Sequence, residues 1–519
     1  MGKQEEDIYN DAEHKEHLPL SQGSDPFSTE HLSYGESGLK GLIAAPYIFA
    51  ASLLASLAGF SFGYDQGVIS LILTMDVFHQ TYPETAPSNP QYGFYTGFMT
   101  GMLELGAFVG CLFFPYFADR YSRKWGLSLA VAFYIIGAVI QTAAHNYGTL
   151  VAGRAIGGVG VGTLALGAPL YISEIAPPNL RGSLLVLEQF SIVTGAITAY
   201  WMTYGTRLIE GEWAFRLPFL LQMPSALLVG IGIHFFPFSP RWLCMKDRDE
   251  EALKALSRLR RLPAEDHRIH TEWKAIIAEV KLQKVVQEKM HPGVTNSVSL
   301  EWRGWLDLFK RKYRKRAYYY APIFFRALGQ SNDMSLILSG MVNIMQLIGC
   351  IGTVLFLDKI GRRFLAIFGG LAMGIPHVIM AGIVGRFQTS WAEKPGVGWF
   401  GVAIIYLYVL AFGFTYGPLG WTLPAEVYPS AVRAKGVGLS VAVNWLANTC
   451  IGFSVPEMQK SITWGTYLFF AVWCFLAAVF SWFCVPETKG LTLEQMDHAF
   501  KDNSGQEELA LKGEVVRAL

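Results

Sequence analysis

Apolar runs about twenty residues long recur along this chain, near 42–64, 91–115, 125–144, 149–172, 184–205 and 214–237, and again near 335–357, 364–385, 396–423, 436–456 and 463–485. Wound as a helix rising about 1.5 Å per residue, each can cross the roughly 30 Å hydrocarbon core of a bilayer. They are apolar on all faces, which does not suit helices with one side in water, and the alternation of a membrane β-barrel is absent. Hydrophobic residues make up 52% and charged residues 16% of the 519, with a mean hydropathy of +0.30. The fold class expected is therefore an all-α polytopic membrane protein in contact with the lipid bilayer. A net charge of +1 gives no electrostatic reason to expect nucleic acid. Five of the six cysteines (Cys111, Cys350, Cys450, Cys474 and Cys484) lie in apolar runs with no paired spacing and no adjacent histidine, which argues against disulfide or metal frameworks. No nucleophile, metal-ligand or phosphate motif points to an enzyme. Gly157-Gly-Val-Gly-Val-Gly162 looks like a nucleotide loop, but it lies inside an apolar run with no strand before it, so close helix packing is the reading.

Lysine and arginine set the orientation. Arg120, Arg123, Lys124, Arg181, the whole 241–316 block, Lys359, Arg362, Arg363, Arg433 and Lys435 fall in one set of loops, while the opposite loops hold only Arg207, Arg386, Lys394 and Lys460. Both termini are expected to be cytosolic, which needs an even number of crossings. The missing crossing falls on the short stretch RKYRKRAYYYAPIFFRALGQSND, residues 311–333. Its apolar part, 317–330, would reach only about 21 Å as a helix. The chain also repeats itself. Asp119-Arg-Tyr-Ser-Arg-Lys124 recurs as Asp358-Lys-Ile-Gly-Arg-Arg363, and Glu174 precedes Arg181 by the same seven residues that separate Glu426 from Arg433. Two halves with the same loop chemistry predict a pseudo-symmetric transporter with its substrate site between them. The organisation expected is a disordered N-terminal tail (1–41), a six-helix bundle (42–237), an intracellular linker (238–316) with an amphipathic basic helix within 249–286, a second bundle (317–485) with a shortened first span, and a C-terminal tail (486–519).

Phe62-Gly-Tyr-Asp65, Asp119-Arg-Tyr-Ser-Arg-Lys124, Arg154 among glycines, Pro169-Leu-Tyr-Ile-Ser-Glu174 with Arg181-Gly, Ser239-Pro-Arg241-Trp-Leu, Asp358 to Arg363, Gly417-Pro-Leu-Gly-Trp421, Glu426 with Arg433-Ala-Lys-Gly, and Pro486-Glu-Thr-Lys-Gly490 stand in one order along the chain. In that order they resemble the sugar porters of the major facilitator superfamily, in particular the fungal hexose transporters, from about residue 43 to 495. The resemblance implies the major facilitator fold, two six-helix bundles with twelve crossings and a cytosolic helical linker, and uptake of a monosaccharide by alternating access. There are departures: Phe238 stands where the family usually has Glu, and Pro115 and Ser122 replace two customary glycines.

Arg and Glu at the cytosolic ends of helices from both halves can form ion pairs that exist only while the inner mouth is closed; the candidates are Arg123, Glu174, Arg181, Arg241, Glu279, Arg363, Glu426 and Arg433. Plain positive-inside anchoring is the alternative for any single loop arginine. Asp65 and Arg154 are ionisable groups at membrane depth, where such groups are rare, costly and paired. By resemblance they are the proton-coupling pair of a symporter; a static pair in a facilitator is the alternative. Glu104 is a further intramembrane acid, read as a helix-interface hydrogen bond. Sugar hydroxyls suit amide donors and acceptors, and the C–H face of the ring suits aromatics. The candidates by resemblance are Gln189, Asn343, Phe412, Trp421, Asn444, Trp445 and Asn448, with helix-to-helix hydrogen bonding as the alternative for a lone asparagine. In the short stretch, residues 319–329 match the outer half of the family's seventh span, with Tyr319 and Tyr320 as an external gate, and the inner half has no counterpart. The expected function is a proton-coupled hexose symporter of the plasma membrane with no cofactor beyond the coupling proton and a monomer as the default state. A non-transporting sensor or inactive relative is the alternative.

Overall fold

The computed structural model describes residues 34, 38–177, 179–293, 299–300, 303, 305–306, 335–356, 360–387, 394–428, 433–487 and 514. All regular structure among them is helical: α1 (Gly38–Ala44), α2 (Pro46–Ile72), α3 (Asp76–Thr81), α4 (Tyr92–Arg120), α5 (Arg123–Ala143), α6 (Tyr147–Ile175), α7 (Arg181–Thr206), α8 (Trp213–Leu221), α9 (Met223–Gly232), α10 (Pro240–Met245), α11 (Asp249–Arg260), α12 (His267–Met290), α13 (Ser335–Phe356), α14 (Arg362–Phe387), α15 (Pro395–Phe414), α16 (Tyr416–Val427), α17 (Arg433–Ile462) and α18 (Trp464–Cys484). Each of the eleven apolar runs is helical. Nine stretches of the described residues are long and apolar enough to cross a membrane, and α7 and α13 occupy the other two runs. The short stretch with Tyr319 and Tyr320 lies outside the described residues.

Two runs are broken, each at a proline. Proline has no N–H to donate into the preceding turn. Pro224 therefore takes a place in the first turn of α9, and the sixth run divides there into α8 and α9. Pro418 leaves the carbonyl of Phe414 without its intrahelical donor, and the chain breaks at Thr415 between α15 and α16. The freed carbonyls are not left bare. Thr353 of α13 donates its hydroxyl to Phe414 O at 2.8 Å and to Gly413 O at 3.1 Å, the kind of replacement a broken helix in lipid requires.

The repeat read from the loops reappears in the packing. In the first half α4 packs on α6 and α5 on α9; in the second, α13 packs on α15 and α14 on α18. Across the halves the exchange is reciprocal, α4 against α17 and α13 against α7. In lipid no hydrophobic force pulls helices together, so close backbone approach supplies the attraction. Gly158 and Gly162 of α6 bring that helix onto the carbonyls of Leu103 and Ala107 of α4. The glycine run is thus a packing seam.

The stretch 249–286, expected to contain an amphipathic basic helix, holds one in α11 and a second helix in α12. Arg261 leaves α11 at φ 53, and Pro263 follows it, so the helix cannot continue. Trp242, Leu243, Ala252, Ala255, Ile277 and Val280 hold α10, α11 and α12 together through one apolar cluster. Arg260 ties this unit to the first bundle, pairing with Glu272 at 2.6 Å and donating to Ile175 O at 2.7 Å at the end of α6. Tyr34 donates to Glu272 from the N-terminal side at 2.6 Å.

A methyl group at position 162 would overlap the Ala107 backbone. Gly162→Ala is expected to destabilise the protein by about 1–3 kcal/mol through overpacking. A lowered melting midpoint in detergent checks this; an unchanged midpoint would mean that the seam can open at no cost.

Candidate functional site

Helices α2, α4 and α6 converge on a buried charged cluster. Asp65 of α2 is 0% exposed and Arg154 of α6 1% exposed, with Arg154 Nη1 3.6 Å from Asp65 Oδ1. The pair is loose: among the described residues neither Asp65 oxygen has a hydrogen-bond partner, and neither does Arg154 Nη1. Arg154 is anchored from its other side, where Nε donates to Met99 O of α4 at 3.0 Å. One turn further along α4, Glu104 is 6% exposed and accepts a hydrogen bond from Gln66 Nε2 of α2 at 2.6 Å. The expected helix-interface bond of Glu104 is therefore present, and Gln66, the residue after Asp65, makes it. Tyr134 of α5 closes the cluster by donating to Ser61 O at 3.1 Å.

The candidate sugar residues lie where the halves face each other. Gln189 of α7 is buried, with its amide beside Gly417 of α16 and Cys350 of α13, so a first-half amide reaches two second-half helices. Trp445 of α17 is fully buried and meets Phe62 of α2 edge-on at 4.9 Å. Asn448, one turn along α17, is buried with its Oδ1 lacking a hydrogen-bond partner. Asn444, Asn343 of α13 and Phe412 of α15 are half-buried, and Phe412 packs toward Gly417. Trp421 is in α16, its side chain outside the described residues. Sequence reasoning missed Glu188. It is 2% exposed, packs against Gly59 of α2, and has no hydrogen-bond partner on either oxygen among the described residues.

The described charged groups at the cytosolic ends pair within each half. Arg123 Nη2 lies 2.8 Å from Glu174 and Nη1 2.8 Å from Asp119. Arg241 meets Glu279 of the linker at 3.1 Å. In the second half the backbone N–H groups of Arg362 and Arg363 donate to Glu487 at 2.8 and 3.2 Å, and the Arg363 guanidinium donates to Trp482 O at 2.5 Å. Glu487 thus caps the start of α14, where orphan N–H groups and the helix dipole favour a carboxylate. The side chains of Arg181, Glu426 and Arg433 lie outside the described residues. The described contacts toward the second half at this end include apolar ones: Met290 and Trp305 of the linker pack with Tyr428 and Leu439, and Gly438 faces Leu166 and Pro115.

Two of the three departures, Phe238 and Ser122, have a local explanation. Phe238 stacks on Trp242 at 5.4 Å, and Lys124 Nζ lies 4.4 Å from its ring centre while donating to Phe236 O at 2.7 Å. A cation–π contact occupies the place where a carboxylate would pair. Ser122 holds φ 133, a conformation that favours glycine, and uses its hydroxyl to accept from Trp125 N at 3.2 Å. The N-cap offsets part of the strain.

Residues 51–500 match the family described as sugar (and other) transporter. The chain is 30% identical over 489 residues to the high-affinity glucose transporter of Kluyveromyces lactis, covering 88% of this chain and 85% of that protein. It is 32% identical over 476 residues to the MFS glucose transporter mfs1 of Aspergillus flavus, covering 86% and 88%. Among solved structures, the proton:xylose symporter XylE bound to 6-bromo-6-deoxy-D-glucose superposes with a TM-score of 0.68 at 27% identity, covering 87% of this chain and 99% of that one. The relatives are transporters, not enzymes, and with helices of this length and apolarity the chain is an integral membrane protein. The chain belongs to the sugar transporter family of the major facilitator superfamily.

Proposed function

We propose that the protein carries a hexose into the cell by alternating access, coupled to a proton, across the plasma membrane and with both termini cytosolic. The observation that carries this reading is the buried Asp65–Arg154 pair, held at 3.6 Å with no hydrogen bond between its members. A static structural pair would be closed and bidentate, because that geometry best repays the desolvation of two buried charges. A loose pair leaves Asp65 able to accept a proton. Protonation releases Arg154 from its partner, which biases the packing of α2 against α6 and so the balance between outward and inward states. The relatives' names, glucose transporters in fungi and a proton:xylose symporter, support the same direction.

Sugar is held between the halves in this proposal. Gln189 and Asn448 offer amides to the hydroxyls from α7 and α17; Asn343 and Asn444 add second-half amides, and Trp445, Phe412 and Trp421 offer apolar faces to the ring. The cytosolic residues Arg123, Glu174, Arg181, Arg241, Glu279, Arg363, Glu426 and Arg433 set the energy of the inner closure, and Tyr319 and Tyr320 gate the outer side. The coupling proton is the sole cofactor, and a monomer suffices.

Labelled glucose uptake in transporter-null cells tests coupling. Wild-type uptake is expected to collapse on adding a protonophore, and Asp65→Asn to lose about a hundredfold or more of concentrative uptake while retaining sugar exchange. Uptake indifferent to the protonophore would leave a facilitator, and no uptake by protein present at the cell surface would favour the sensor. Gln189→Ala is expected to raise the KM for sugar by about tenfold, the loss of one hydrogen bond to a bound hydroxyl. An unchanged KM would remove Gln189 from the site.

A further inference from the structure

Two acids and one base share the cluster at α2, α4 and α6. Asp65, Glu104 and Arg154 are each buried, Glu104 interacts electrostatically with both of the others, and one positive charge cannot neutralise two carboxylates. An uncompensated buried ion is strongly disfavoured, so a cluster of this composition holds one proton in its neutral state. The hydrogen bonding places that proton. Gln66 donates to Glu104 Oε1, while Glu104 Oε2 is buried without a partner. Asp65 faces the guanidinium directly and Glu104 faces an uncharged amide. Of the two acids, Glu104 is therefore the one that stays neutral while Asp65 is ionised.

We propose that Glu104 is the second acid of the coupling site, holding a proton whenever Asp65 is ionised and releasing it when Asp65 is protonated. This rests on the proton-coupled reading above and deepens it. The step balances: a proton binds an Asp65 oxygen, a proton leaves Glu104, and Arg154 passes from the Asp65 carboxylate to the Glu104 carboxylate. One positive and one negative charge remain throughout. Arg154 is built to change partners, with Nε fixed to Met99 O of α4 and Nη1 carrying no hydrogen bond. Gln66 is the positioning residue, orienting Glu104 without supplying charge.

Among the described residues, the other groups facing the cluster do not supply the missing charge. Tyr64 of α2 and Tyr134 of α5 stand near Asp65 and are neutral donors, bonded to Pro218 O and Ser61 O. From α17, Phe453 and Gly452 face Gly101 of α4, and the charged residues of that helix nearest to α4, Glu457 and Lys460, pack at Gly93 and Pro90. Gly93 lies eleven residues from Glu104, about 16 Å along the helix. From α7, Glu188 meets α2 at Gly59, six residues before Asp65.

Infrared difference spectra of the purified full-length protein read the protonation state without requiring transport. Wild type minus Glu104→Gln is expected to show the carbonyl stretch of one protonated carboxylic acid. Wild type minus Asp65→Asn is expected to show the same band, because with Asp65 neutral Glu104 must ionise to balance Arg154. Glu188 is common to all samples and cancels. In cells, E104Q is expected to retain sugar exchange and lose concentrative uptake by at least about tenfold, since an amide cannot release a proton. No band in the E104Q difference overturns the proposal. A band in E104Q but not in D65N also overturns it, by showing that the proton on Glu104 is indifferent to Asp65. If D65N does not fold, the E104Q spectrum together with its exchange-to-accumulation ratio decides. Failure of the coupling reading is separate: it appears as protonophore-resistant uptake by the wild type, whatever the spectra show.

Discussion

A polar group inside a bilayer has no water to bond, and most of this structure follows from that constraint. Where Pro418 breaks α15 from α16, the hydroxyl of Thr353 reaches across to the freed carbonyls. Where helices must approach closely without a hydrophobic force, Gly158 and Gly162 let α6 touch the carbonyls of α4. Among the described residues, the buried polar atoms left without a hydrogen-bond partner include those of four ionisable side chains in the first bundle, Asp65, Arg154, Glu104 and Glu188. Three of these form one cluster with unequal numbers of acids and bases. Incomplete pairing in so costly a place marks a site whose charge state changes.

The two halves share a plan and divide the work. Their packing repeats in part, α4 on α6 matching α13 on α15 and α5 on α9 matching α14 on α18, yet among the described residues the buried Asp–Arg pair belongs to the first half. The cytosolic loops diverge in the same manner. Glu487 caps α14 through two backbone N–H groups, while the first half has Phe238 beneath Lys124 where its family has a carboxylate. A cation–π contact is less directional than a carboxylate clamp. The described ion pairs at this end lie within the first half and its linker, and an apolar contact of Met290 and Trp305 with Tyr428 and Leu439 joins that linker to the second half.

Much of the fold was legible in the sequence because length and apolarity act residue by residue: eleven runs long enough to cross a bilayer became eleven helical stretches. The Asp65–Arg154 pair was legible because an ionisable group in an apolar run must find a partner. Spacing could not supply the partner of Glu104, since Gln66 meets it through a contact between two helices whose rotation no linear pattern records. Glu188 went unread for a related reason, as the residue beside the sugar candidate Gln189 faces the opposite way, toward Gly59. The amphipathic helix within 249–286 was legible in its apolar and basic spacing and is α11, while its stop at Arg261 and Pro263 and the second helix α12 come from local backbone constraints. Ser122 looked like a plain replacement for glycine, and its compensating N-cap became visible only in three dimensions.

The central claim is that sugar and a proton move together because Asp65 must be neutralised before the first bundle can rock. Recording the pH of a weakly buffered suspension of cells carrying the protein, as glucose is added, tests it most directly. The claim requires a transient alkalinisation of the medium that scales with sugar uptake and is absent from cells carrying Asp65→Asn. Glucose entering the cells with no change in external pH would contradict it.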